Sequence, residues 1–376
     1  MTLSLPARPA GARSLTEVLP ILIDALEGTS AVLPPVRSGI VFVLDGLGAR
    51  NLAARRAHGR FLAAAMGRKD VARSVFPSTT AAALTSLLTA AWPGEHGVVG
   101  YRVRLPETGV VVNQLNGWEG GGLDPLTWQR AEPLLMQEAR RGRPCFVVSK
   151  PDYVTSGFTA ATLRGAEIHG AGALDERVEL AAHLARSHEG ALVYLYGPEL
   201  DVVGHRKGAD SDEWAFALEA VDAAARRLHE AVGATAGILV TADHGMVDVA
   251  PSRHVLFGEG PLTDGVTAVG GEPRMLHLYA AEGAASDLHA AWSASERDRA
   301  WVLTRDEAIG AGLFGPHVDE AVAARIGDVL VVARARLAYY DDRVADTSPR
   351  KMVGQHGSLS DEETTVPLIR LGAFSR

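Results

Sequence analysis

Apolar residues along the chain fall into two patterns. The first is short unbroken runs rich in β-branched residues: GIVFVLD (39–45), CFVVS (145–149), ALVYLY (191–196) and GILVTAD (237–243). Such runs predict strands buried on both faces of a parallel sheet. The second lies between the last two runs. There, apolar residues at 214, 217, 218, 221, 224, 225, 228 and 232 follow the 3.6-residue period of a helix that Gly233 ends. Strand, helix, strand at this spacing is a βαβ unit, so the chain reads as α/β, with a mostly parallel central sheet flanked by helices. Upstream, SLTEVLPILIDALEG predicts a helix with Ser14 and Glu17 as a capping box and Gly28 as its stop, after a loose tail over 1–14.

From 251 to 345 the pattern breaks into glycines, prolines and short pieces such as RMLHLYA and DVLVVARA. This predicts a smaller inserted subdomain or lid, leaving 15–250 plus 346–376 as the main α/β core. Residues 101–128 are Gly-rich, anchored by Val110–Val112, Trp118 and Trp128. A connection that long reads as a binding loop.

Composition narrows the function classes. Of 376 residues, 47% are hydrophobic and 22% charged, which gives a sizeable core and excludes wholesale disorder. The net charge of −8, with no basic face, argues against duplex nucleic acid as a partner. The lone cysteine, Cys145, allows no intrachain disulfide and no multi-cysteine metal site, and in its apolar run it reads as a buried small hydrophobe. No run reaches the roughly 18–20 apolar residues of a membrane helix, and the first residues lack a signal-peptide layout, so the expected location is the cytoplasm.

Ligands of open α/β sheets bind beyond the carboxyl ends of the strands. There the chain places Asp45-Gly46, Asp243-His244-Gly245, and GPELDVVGH with Asp201 and His205, while His356 follows in a late VGQHGS. Aspartate and histidine together suit zinc or a similar divalent ion. In a regular strand Asp243 and His244 would face opposite ways, so sharing one ion requires a bend, which Gly245 would ease. Taken singly, a strand-end Asp is an ordinary turn or cap, and His96 in PGEHGVVGY an ordinary turn residue. The remaining histidines read as surface or packing residues. Thr80 opens the helix former AAALTSLLTA, where a hydroxyl serves either as an N-cap or as a nucleophile favoured by the helix dipole.

The ordered set Asp45-Gly46, Thr80 with Pro93 to Gly97, ELDxxGH, TADHGM and the late His356-Gly357 resembles the alkaline phosphatase superfamily, and within it the type I phosphodiesterase/nucleotide pyrophosphatase family. The resemblance implies two divalent ions, zinc in that family. Asp45, Asp243, His244 and the Thr80 oxygen would hold one, and Asp201, His205 and His356 the other. It further implies a covalent phosphothreonine at Thr80. Two ions and three carboxylates leave a net charge of +1, a balance that attracts an anionic ester. The chain departs from the family where an aromatic and a Pro-Asn pair should follow the nucleophile, since Ala81-Ala82-Ala83 stand there. Gly100-Tyr101 stands where an asparagine assists a phosphoryl oxygen. Tyr101, Arg102 and Lys150 are candidate substrate contacts.

The leading expectation is therefore a metal-dependent phosphodiesterase or pyrophosphatase acting on a small phosphate ester. The alternatives are a phosphomonoesterase or phosphonate hydrolase on the same site, and a metal-binding relative without catalysis. The uncharged flank of Thr80 favours the diester.

Overall fold

A computed structural model describes residues 5–6, 11–118 and 120–375. Positions 1–4 and 7–10 of the expected tail, and position 119 of the expected binding loop, lie outside the described residues. The apolar runs form strands Ser38–Leu44, Cys145–Ser149, Leu192–Gly197 and Ala236–Thr241, each buried along its whole length. Full burial on both faces is why these segments carry no polar alternation.

The central sheet has seven strands in the order Val71–Arg73, Thr365–Gly372, Ala236–Thr241, Ser38–Leu44, Leu192–Gly197, Cys145–Ser149, Glu167–Gly170. Its pairings from Ala236–Thr241 across to Glu167–Gly170 are parallel. Thr365–Gly372 runs antiparallel to both of its neighbours. The chain is thus α/β with a mostly parallel central sheet, as the apolar runs predict.

Helix Asp212–Val232 starts at Ser211, whose side chain accepts the amide of Trp214. It buries Trp214, Leu218, Val221, Leu228 and Val232, the residues on the predicted apolar face. At the N-terminus, the Ser14–Glu17 capping box opens a short 3-10 turn that runs into helix Val18–Glu27, and Gly28 ends it with φ of 74°. Pro20 sits in the first turn of that helix, where a missing amide costs least.

A second, antiparallel sheet of four strands lies within the stretch 251–345, in the order Val266–Glu272, Met275–Ala280, Val329–Ala333, Ala300–Thr304. Alternation along Val329–Ala333 sends Leu330 and Val332 into the main core. Val329 and Val331 go to a separate cluster with Leu278, Trp292 and Tyr339. Buried polar contacts fasten this sheet to the main body. His277 bonds the carbonyl of Val99 at 3.1 Å and accepts the amide of Gly327 at 2.9 Å. The Tyr279 hydroxyl accepts the amide of Arg104 at 3.0 Å.

The strongest fastening is Arg274. Its Nε and Nη2 meet Glu363 at 2.7 and 2.8 Å, and its Nη1 donates to the carbonyls of Ala335 and Leu337. Both side chains are buried. Glu363 also accepts the amide of Ser358, two residues past His356. Among the described residues no helix is long and apolar enough to cross a membrane.

Removing one partner of a dry, bidentate pair strands the other charge. Arg274→Ala is expected to lose about 3–5 kcal/mol of stability, read as a fall in the urea midpoint at unchanged slope.

Candidate functional site

Parallel strands that end level deliver their following residues to one place. Leu44 lies beside Gly197 and Val43 beside Thr241. Asp45 follows the first of these strands, Asp243 and His244 follow the third, and the second leads into helix Glu199–Lys207. One helical turn separates Asp201 from His205, so both face the same side. His356 arrives from the far end of the chain, and Thr80 is the first residue of helix Thr80–Thr89.

Asp243 and His244 lie beyond the end of their strand, which removes the alternation that would have split them. Gly245 serves this differently from the expected bend. Its φ is not left-handed; a Cβ there would stand 2.0 Å from Glu362 O and 2.7 Å from Gly48 Cα. Close backbone approach is what demands glycine. Gly46, at φ of 75°, lets the Asp45 turn settle against Asp201, whose Cα would lie 3.1 Å from an added Cβ.

Backbone carbonyls fix all three imidazoles. Nδ1 of His205 bonds Gly354 O at 2.8 Å, Nδ1 of His244 bonds Gly245 O at 3.1 Å, and Nδ1 of His356 bonds Ser78 O at 2.9 Å. A carbonyl can only accept, so each Nδ1 carries a proton, and in the neutral ring it is Nε2 that keeps the lone pair. Those lone pairs converge. Nε2 of His205 and of His356 are 3.3 Å apart, and the His244 and His356 rings stack with centroids 3.5 Å apart. The Thr80 hydroxyl donates to His244 Nε2 at 3.0 Å.

Three carboxylate oxygens lie against these nitrogens. Asp45 Oδ1 and Asp243 Oδ2 lie 3.5 and 3.4 Å from His244 Nε2. Asp201 Oδ1 lies 3.3 Å from His205 Nε2 and 4.0 Å from His356 Nε2. These three oxygens are buried and have no hydrogen-bond partner, although their sister oxygens on Asp45 and Asp243 do: Tyr196 donates to Asp45 Oδ2, and the amides of Gly46 and His244 donate to Asp243 Oδ1. Unprotonated nitrogens and bare carboxylate oxygens in contact repel unless a cation lies among them.

Two overlapping groups have ligand atoms close enough for one ion each: Asp45, Asp243 and His244, and Asp201, His244 and His356. Burial pushes the carboxyl of Asp201 up to about 6, while Asp45 and Asp243 also shift upward. Burial pushes His244 down to about 3 and His356 down as well. Each shift is the response of a chargeable group to a buried, low-dielectric site.

The profile of the type I phosphodiesterase / nucleotide pyrophosphatase family matches residues 39–359. The chain belongs to this family. An uncharacterized pyrophosphatase/phosphodiesterase of Schizosaccharomyces pombe is 26% identical over 195 residues, which take in 47% of this chain and 38% of that protein. The chain therefore spans well under half the length of this relative. In fold it is similar to human ectonucleotide pyrophosphatase/phosphodiesterase 5 (TM-score 0.69, 16% identity, 90% of both chains). The murine counterpart is also similar (TM-score 0.67, 17% identity, 89% of this chain and 88% of that one). So is phosphonoacetate hydrolase from Sinorhizobium meliloti in complex with phosphonoformate (TM-score 0.67, 21% identity, 90% of this chain and 91% of that one).

The family is metal-dependent, and the donor set just described fits divalent cations. All seven side chains singled out in the family motifs come together. The three candidate substrate contacts do not join them directly. Tyr101 and the exposed Arg102 line a cleft of about 320 Å³ with Glu272, Arg343 and Arg350. Lys150 lines a separate cleft beside Glu199, Val202 and Val203, on the helix that carries Asp201. His96 is a buried packing residue, accepting the Val98 amide and bonded to Ser86 Oγ at 2.8 Å. Val110, expected as a loop anchor, is exposed, whereas Val112 and Trp118 are buried. Tyr196, Ser78 and Glu272 escaped the sequence reading. Tyr196 had a signal, since its side chain leaves the carboxyl end of a central strand.

Because Asp201 holds its proton up to about pH 6, a cation must displace that proton in acid but not above neutrality. The His244 imidazole, pushed down to about 3, does not compete with it over this range. The thermal upshift given by Zn2+ is therefore expected to be larger at pH 7.5 than at pH 5, by on the order of 1 kcal/mol of binding energy per proton displaced. Differential scanning fluorimetry with and without chelator checks this, and an equal upshift at both pH values would contradict it.

Proposed function

We propose that this protein is a two-cation phosphoesterase, with Thr80 as nucleophile and a phosphodiester or pyrophosphate as substrate. The observation that carries the reading is the Thr80 hydroxyl resting on an imidazole nitrogen that also faces two unpartnered carboxylate oxygens. Asp45, Asp243, His244 and the Thr80 oxygen would hold one zinc ion; Asp201, His205 and His356 would hold the other. Bound there, the pair supplies Lewis acidity, which lowers the pKa of a coordinated hydroxyl and offsets charge on a leaving oxygen.

The chain's own part follows from position. Thr80 is the first residue of helix Thr80–Thr89, so a phosphoryl group joined to it would meet the helix's amino end, where free amides and the helix dipole stabilise phosphoryl oxygens. Thr80 Oγ1 forms a bond to phosphorus, the bond to the leaving oxygen breaks, and the threonine proton ends on the departing alcohol. Water then cleaves the phosphothreonine, restoring the hydroxyl and releasing the phosphate product. Tyr196 and the three carbonyls that anchor the imidazoles hold the donor set in register, as outer-shell partners do at metal sites. Arg102 and Lys150, which line two separate clefts, are the cations we assign to an anionic substrate arm.

Support for the nucleophile also comes from the murine relative, which a threonine-to-alanine substitution renders inactive and which has been captured with AMP. Phosphonate hydrolysis is the second reading, because a phosphonoacetate hydrolase shares the fold to the same degree. The alanines after Thr80 do not decide between the two. Ala81, Ala82 and Ala83 are fully buried in the helix packing, so they shape no slot for a second ester arm.

Thr80→Ala is expected to cut turnover of bis-p-nitrophenyl phosphate by at least about a thousandfold while zinc content stays the same. Undiminished turnover refutes the nucleophile. Wild-type protein is expected to prefer bis-p-nitrophenyl phosphate over p-nitrophenyl phosphate, and a monoester preference above about a hundredfold, measured as kcat/KM, reverses the diester assignment.

A further inference from the structure

Helix Glu199–Lys207 carries two of the proposed cation ligands, and its two ends are held differently. His205, near the carboxyl end, is fixed by what surrounds it. Its Nδ1 bonds Gly354 O at 2.8 Å, and its carbonyl accepts the amide of Val353 at 2.8 Å. Gly204 beside it is pressed on Met246, whose Sδ would stand 2.3 Å from an added Cβ. Asp201, in the first turn, has no such support. Pro198 at the N-cap supplies no side-chain cap, and Asp201 Oδ1 is buried without a hydrogen-bond partner.

What grips that turn is Glu199, the first residue of the helix, whose Oε1 accepts from Arg177 Nη2. Arg177 stands in helix Leu174–Ser187 and is fully buried. Glu199 and Asp201 are two positions apart, about 200° around a helix, so the pair holds the turn from behind. Glu199 shares its side with Val202 and Val203 in the cleft beside Lys150, and Asp201 is not part of that lining. In front, the Cα of Asp201 abuts Gly46, 3.1 Å from where a Cβ would stand. The turn thus sits between a glycine and a buried guanidinium.

The pair is poorly built for stability alone. Nε and Nη1 of Arg177 are buried without a partner among the described residues, and so is Oε2 of Glu199. A dry ion pair with unfilled donors and acceptors stabilises less than an apolar contact of the same shape. We propose that Arg177 is a positioning residue: through Glu199 it fixes the first turn of helix Glu199–Lys207 and so sets Asp201 against His205 and His356 for the second cation. This rests on the reading of those three side chains as one cation site.

Calorimetric titration of chelator-stripped protein with Zn2+, thermal melting and metal-free crystal structures test this. Wild type is expected to take up two zinc ions. Arg177→Met keeps one at wild-type affinity and binds the other about tenfold to a hundredfold more weakly, the effect of losing an outer-shell partner. Removing a positive charge would by itself strengthen cation binding, so a weaker second ion reports position and not field. Because a single nitrogen makes the contact, Arg177→Lys stays within about threefold of wild type. Arg177→Met/Glu199→Leu removes both buried charges and melts at or above the wild-type temperature, yet still binds the second ion weakly. A merely structural role would let affinity recover with stability, and the double variant carries the test should Arg177→Met fail to fold.

A double variant that binds both ions as wild type does, or an Arg177→Met protein that does so, overturns the proposal. The metal-free structures separate this from the two-cation reading. If wild type takes up fewer than two ions, yet Asp201 Oδ1 moves away from His205 Nε2 in the variants, the reading of the site falls and the positioning of Asp201 stands. If that oxygen keeps its 3.3 Å separation from His205, the positioning falls whatever the zinc content.

Discussion

Charge without compensation governs this structure. Asp45, Asp201 and Asp243 each set a buried, unpartnered oxygen within 3.5 Å of an imidazole Nε2. Six electron-rich atoms in a water-poor space do not gather by their own attraction. The tertiary structure holds them there, through the level strand ends, the backbone carbonyls behind each histidine, and the tyrosine behind Asp45. Stability spent in this way is the mark of a site built for a cation and for the reaction around it.

The second sheet takes part in that enforcement. Arg274 reaches from it to Glu363, Glu363 grips the amide of Ser358, and Ser358 follows the loop that carries His356. Glu272 presses on Gly357 in the same loop. Glu272 and Arg274, two positions apart at one hairpin turn, thus clamp the segment that brings the last histidine across the centre. A lid that merely covered the site would not need to bury its charges beneath it.

Much of this was legible in the sequence, and the residues show why. Strands such as GIVFVLD are buried on both faces, so their apolar run is unbroken and easily read. Asp45, Asp243 and His244 sit just past those strands, and Asp201 and His205 one helical turn apart, where local spacing determines placement. Thr365–Gly372 was harder to read, because Pro367 and Arg370 interrupt its apolar run. Tyr196, Ser78 and Glu272 act through partners 151, 278 and 171 positions away, and no local pattern encodes such pairings. Gly245 was legible as necessary but for another reason, since a bend and a close backbone approach both call for glycine.

Thr80 shows how one residue type can satisfy two demands in neighbouring positions. A hydroxyl at a helix start is ordinarily a cap, and a cap would fill the amides that make the helix end attractive to phosphate. The chain resolves the conflict by dividing the roles. Thr79 takes the N-cap backbone and Thr80 the first helical position, with its oxygen aimed at His244. The cap geometry survives because the chain must enter the helix from an extended segment, while Thr79 makes no side-chain cap bond. The helix terminus that Thr80 opens is therefore left without a side-chain cap, as a site for an anionic group requires.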